Sequence, residues 1–144
     1  MGNFFRPWAL SGRVSLALLL LRCVVGLAFM LHGLSKIQNP LDWMGPESAV
    51  PAVFQGAAAL SEFVGGFLWI LGLFTPIASL GIAGTMAFAA FSHAVLWGQP
   101  FVAGKGGSGS YELALVYFSI ALLFLLAGPG KYSLDRILFG EKRN

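Results

Sequence analysis

Four stretches of the chain are apolar on every face rather than along one stripe: residues 14–34, 52–73, 76–97 and 111–127, approximately. A helix that is hydrophobic all round is one that lipid or protein surrounds completely, and roughly 20 mostly apolar residues cross a bilayer. The pattern predicts four transmembrane helices, the last the shortest. The breaks between them agree. Asn39-Pro40, Gly45-Pro46 and Pro51 mark a loop after the first, and Thr75-Pro76 ends the second and opens the third. Gly98, Pro100, Gly104, Gly106, Gly107 and Gly109 form an open loop before the fourth, which Ala127-Gly128-Pro129-Gly130 stops. Beyond that stop, Ser133 suits a helix N-cap, Asp135 a first turn, and Leu134, Ile137 and Leu138 share a face, which predicts a short interfacial helix. Residues 1–144 read as one all-α membrane domain, a four-helix bundle with a C-terminal foot.

Charges inside the apolar runs organise the prediction. Arg22 lies in the first run and Glu62 in the second. An unpaired ion at membrane depth is costly, so such residues turn inward and find partners. At about 1.5 Å per residue, Arg22 falls about 12 Å, and Glu62 about 16 Å, from the same end of an antiparallel pair. The expectation is an Arg22–Glu62 ion pair that pins the bundle. Gly26 and Gly33 follow Arg22 on one helical face, where a neighbouring backbone can come close, and Gly65 and Gly66 do the same beside Glu62. The small residues from Gly81 to Ala87 place the third helix centrally.

Bases set the orientation. Arg6, Arg13, Lys131, Arg136, Lys142 and Arg143 lie at the chain ends, against Lys36 and Lys105 on the opposite side. By the positive-inside rule both termini are cytoplasmic. Trp8 and Trp69 would then belong to the inner aromatic belt, and Trp43 and Trp97 to the outer.

Composition bears out the membrane reading: 57% hydrophobic and 10% charged residues, with mean hydropathy +0.78. The net charge of +3 adds little. A signal peptide is rejected because Arg22 interrupts the apolar run, which continues well past it without a cleavage site. The Met1-Gly2 start fails as a myristoylation signal because Arg6 occupies the Ser/Thr position. Cys23 is the single cysteine, which excludes an intramolecular disulfide or two-thiol relay, and its depth in the first helix suggests a small packed hydrophobe. Nothing in the composition suggests a nucleic-acid partner; the bilayer and other protein subunits are the partners expected.

With this topology a second polar group gathers at the outer ends: His32, Lys36, His93, Tyr111 and Glu112. It could hydrogen-bond a quinone headgroup or pass protons. A metal held by His32, His93 and Glu112 is disfavoured, since the three come from separate helices without local ligand spacing. Capping and snorkelling account for His32 and Lys36 equally well. The Gly-rich loop lacks the Lys-Ser/Thr helix start of a phosphate cradle, and no Ser-His-Asp set assembles. No residue stands out as catalytic.

The strings Leu21-Arg22 with Gly26, Phe29-Met30-Leu31-His32-Gly33-Leu34-Ser35-Lys36, Glu62-Phe63-Val64-Gly65-Gly66 and Leu71-Gly72-Leu73-Phe74-Thr75-Pro76 resemble the DoxX family of small bacterial membrane proteins. His93, Tyr111-Glu112 and Gly128-Pro129-Gly130-Lys131-Tyr132-Ser133-Leu134-Asp135 extend the likeness. The resemblance implies a multi-pass protein of the bacterial inner membrane, linked with redox assemblies such as a thiosulfate:quinone oxidoreductase. Its polar matches here are Arg22, His32, Lys36, Glu62, His93 and Glu112. Haem, flavin and iron–sulfur ligand motifs are missing, so the expectation is a subunit of a redox or electron-transport complex that docks partners and borders a quinone, with no covalently bound cofactor and no metal. The alternative is an autonomous quinone-linked oxidoreductase. Small-solute transport ranks lower, four helices being few for a repeat-built alternating-access machine.

Overall fold

The computed structural model describes residues 2–107 and 109–142. Arg143, counted among the bases at the chain ends, and Met1 of the lipidation motif lie outside the described residues. Among the described residues every regular element is helical: α1 (Gly2–Phe5), α2 (Gly12–Gln38), α3 (Ala52–Leu71), α4 (Thr75–Phe91), a π-helical turn (Ser92–Leu96), α5 (Glu112–Ala127) and α6 (Leu134–Phe139). Three of these are long and apolar enough to span a membrane, the π turn extending α4, while α5 is shorter at 16 residues. The long helices overrun some expected limits. α2 has 27 residues, and Ser11 starts it by accepting the Val14 N–H at 3.3 Å.

The four helices form a row of neighbours: α2 packs along α3, α3 along α4, and α4 along α5. Glycines set the first two contacts. A β-carbon on Gly26 would lie 2.6 Å from the Gly66 carbonyl, one on Gly66 equally close to the Gly26 carbonyl, and one on Gly33 2.6 Å from the Phe63 nitrogen. Gly65 turns the other way, onto Ile82 of α4. The Gly65-Gly66 pair thus lets α3 touch a helix on each side, as small residues do in membranes.

Trp69 closes the row. It is fully buried; its ring meets Phe29 of α2 at 5.5 Å and Phe124 of α5 at 4.8 Å, both edge-on, and its indole N–H donates to Ser79 Oγ of α4 at 3.0 Å. One side chain therefore ties all four helices, with edge-to-face geometry worth about 0.5–1.5 kcal/mol per pair beyond burial. The sequence expectation of an interfacial Trp69 is corrected: an indole whose N–H finds a hydroxyl inside the bundle has no need of the headgroup layer.

Polar and apolar positions are arranged inside-out. Ser15, Arg22, Glu62, Thr75, Ser79 and Asp135 are buried, while Leu20, Val24, Leu27 and Leu31 of α2 are exposed, as are Leu122 and Leu126 of α5. A soluble domain would reverse this; a bundle solvated by acyl chains requires it. Cys23 faces outward with the leucines rather than into the core.

If the glycine contact sets the α2–α3 distance, Gly66→Ala lowers stability in detergent by about 1–3 kcal/mol through overpacking. Gly84, where an added β-carbon meets nothing within 4 Å, is the control: thermal unfolding of Gly84→Ala is unchanged or improved, since alanine is the better helix former by about 1 kcal/mol.

Candidate functional site

The expected Arg22–Glu62 pair does not form. The glycine register places Arg22 opposite the end of α3 and Glu62 opposite the turn of α2 that holds Gly33, roughly ten residues away, or about 15 Å along the axis at 1.5 Å per residue. Depths measured from helix ends misled because α2 is longer than α3, 27 residues against 20. Two separate polar centres result.

The first lies at the α3–α4 turn, near the chain ends. Side chains on a helix lean toward its N-terminus, and Arg22 follows, donating from Nη1 to the Trp69 carbonyl at 3.1 Å and from Nη2 to the Tyr132 carbonyl at 2.5 Å. Asp135 reaches the same turn from α6, accepting the N–H groups of Phe74 at 2.7 Å and Thr75 at 2.9 Å, while its own N–H donates to the Gly72 carbonyl at 2.8 Å. A cation thus sits on the carbonyl end of α3 and an anion on the N–H end of α4, each complementing a helix dipole. Both ions are fully buried. Gly72 adopts φ 63°, and a β-carbon there would collide with the Arg22 guanidinium and Ser133. Phe74, also left-handed at φ 46°, is held in that costly conformation by the Asp135 carboxylate. Ser133 caps α6 as expected, its Oγ accepting the Arg136 N–H. Asp135 does not serve its own helix; it caps α4.

The second centre lies at the other end. Gly33 brings α2 against Phe63, so Lys36, one turn on, meets Glu62: Nζ is 2.6 Å from both carboxylate oxygens. The Glu62 side chain is 2% exposed and that of Lys36 22%. Trp43, from the loop after α2, lies under the ammonium, 4.5 Å from Nζ to the ring centroid, a cation–π contact. The Trp43 indole is anchored in turn on the Gln55 carbonyl, and buried Gln55 binds Met44 N and the Val50 carbonyl through its amide. The motif lysine and the motif glutamate are therefore partners.

The other predicted residues stand at this same end without converging. His32 is exposed on α2 and faces Tyr117 of α5 with ring centroids 6.5 Å apart. His93 lies in the π turn, where Trp97 N–H bonds the Ser92 carbonyl five residues back; its Nδ1 donates to Gln99 Oε1 at 2.6 Å and its ring meets Trp97. Tyr111 packs on Phe101 and precedes α5. Glu112 opens an apolar surface groove of about 430 Å³ shared with Phe101, Leu115, Val116, Ser119 and Leu123. Among the described residues, no three His, Cys, Asp or Glu side chains are placed to hold a metal.

The spans, the glycine contacts and the Lys36–Glu62 pair together carry the quoted motifs, and the DoxX profile matches residues 17–94. The chain belongs to the DoxX family. Similar proteins include one of Haemophilus influenzae named only as an uncharacterized protein, 37% identical with 94% of each chain covered. An uncharacterized membrane protein of Mycobacterium tuberculosis, Rv3486, is 34% identical over 82% of this chain and 78% of its own. A Bacillus subtilis protein named "Putative oxidoreductase CatD" is 32% identical over 88% and 90%. No solved structure matches the chain.

Sequence reasoning missed two members of this DoxX protein's polar framework. Trp69 and Asp135 act across helices, and only the quoted GPG-x-YSLD string marked the second. Two outcomes follow from the pairing. Lys36→Met strands the Glu62 carboxylate and costs about 3 kcal/mol; adding Glu62→Gln recovers part of it, a coupling that a double-mutant cycle of thermal unfolding measures. Arg22→Leu and Glu62→Leu, by contrast, act on separate centres and add to within about 0.5 kcal/mol.

Proposed function

We propose that this DoxX protein is a membrane subunit of a redox assembly in the bacterial inner membrane, with both termini cytoplasmic, and that its opposite end borders a quinone. One observation carries the reading: a buried carboxylate is held by a lysine that stays partly accessible, at the end where His32 and Glu112 edge apolar surface. A quinone is an apolar ring with two carbonyl acceptors, and Lys36 and His32 supply donors of the right kind beside aromatic faces. Docking of a partner is supported by α5 itself, of which only Ala121 and Phe124 are buried, leaving a broad face for another hydrophobic span.

The name of CatD favours a second reading, an autonomous quinone-linked oxidoreductase acting through the same end. Purification from native membranes in mild detergent separates the two. The subunit reading expects quinone and a second protein to co-migrate with the chain, no quinol oxidation by the isolated chain, and about fivefold weaker quinone retention in His32→Ala, the worth of one hydrogen bond of about 1 kcal/mol. Turnover of a quinol analogue by the isolated chain, lost in His32→Ala or Glu112→Gln, establishes the enzyme reading instead. Recovery of neither quinone nor partner, with no quinol turnover by the isolated chain, removes both.

A further inference from the structure

The two chain ends are built into one platform that the redox reading does not use. Lys142 N–H donates to the Pro7 carbonyl at 2.9 Å, and Arg6 Nε donates to the Phe139 carbonyl at 2.8 Å. Phe5 stacks on Phe139 at 5.0 Å and meets Phe74 edge-on at 5.5 Å, so the platform rests on the α3–α4 turn. Tyr132 leans toward Gly12, which brings Lys131 and Arg13 to the same region.

The net charge here is positive. Arg6, Arg13, Lys131, Arg136 and Lys142 all keep solvent access, whereas the nearby acids are committed: Asp135 is buried on backbone N–H groups and Glu141 pairs with Arg136 at 3.4 Å. Large apolar side chains protrude from both chain ends, Ile137 at 76% and Leu138 at 62% exposure from one and Phe4 and Trp8 from the other. Lys142 Nζ sits 4.7 Å above the Trp8 ring. Bases interleaved with unburied apolar residues, at the end of a set of spanning helices, match a surface that is itself an anionic layer over hydrocarbon.

We propose that this platform binds the phosphate headgroups of anionic phospholipids, with Ile137 and Leu138 entering the acyl boundary and the bases around Trp8 taking the phosphates. The α3–α4 turn is packed beneath the platform, so headgroup binding holds the turn that Arg22 and Asp135 complete.

Trp8 reports on this directly. The full chain is placed in phosphatidylcholine nanodiscs carrying graded amounts of dibrominated phosphatidylglycerol or dibrominated phosphatidylcholine, and Trp8 emission is taken as the difference from Trp8→Phe. The expected result is quenching at much lower mole fraction of the brominated anionic lipid. Arg136→Gln or Lys142→Gln weakens that preference about fivefold per base removed. Arg13→Gln with Lys131→Gln, away from the contacts that join the chain ends, gives the same loss should the first pair disturb folding. Equal quenching by the two brominated lipids overturns the proposal, and so does a preference that survives removal of all four bases. Equal quenching together with loss of a co-purifying protein from the same variants assigns the platform to a protein partner instead.

Discussion

The turn between α3 and α4 is the constraint on which the bundle depends. Three residues, Gly72 to Phe74, reverse the chain between two spanning helices, which leaves carbonyls at the end of α3 and N–H groups at the start of α4 without helical partners. In a bilayer every such group needs an internal partner. Arg22 supplies donors to the Trp69 and Tyr132 carbonyls, and Asp135 supplies acceptors to Phe74 and Thr75. The two ions do not form a salt bridge; each neutralises a helix end. That arrangement joins α2, α3, α4 and the segment after α5, and explains why a membrane helix carries an arginine at all.

Fixing that end sets the rest. With Arg22 at the foot of α3, the glycine contacts determine the α2–α3 register, and the register delivers Lys36 to Glu62. The polar residues therefore divide by task. Arg22 and Asp135 hold the fold, while Lys36 and Glu62 hold the opposite end together and leave a donor partly open beside Trp43. α5 is joined to α2 by Phe29 against Tyr117 at 4.9 Å and to α3 by Trp69 against Phe124 at 4.8 Å, aromatic contacts rather than close backbone approach.

Much of the architecture was legible in the chain. The four apolar helices, three of them long enough to span, the stops at Asn39-Pro40, Thr75-Pro76 and Gly128-Pro129-Gly130, the Ser133 cap and the close-packing role of Gly26, Gly33, Gly65 and Gly66 all stand in the structure within a few residues. His32, Lys36, His93, Tyr111 and Glu112, read together as one polar end, keep separate partners in the structure. The pairing of Arg22 was not legible. Glu62 was the one carboxylate well inside an apolar run, the axial offset between helices is not written in the chain, and the acceptors Arg22 takes, backbone carbonyls, leave no mark in a sequence.

By itself, the sequence determined how many apolar rods the chain forms, where each stops and which family the chain joins, because hydrophobic length and helix breakers act over neighbouring residues. Tertiary structure alone decided that Lys36 rather than Arg22 answers Glu62, that Trp69 is the centre of the core rather than part of a belt, and that Asp135 caps a helix 60 residues before it. Those choices depend on how far one helix slides along another. That sliding is set by glycine contacts between segments distant in the chain, and no local pattern of residues encodes it.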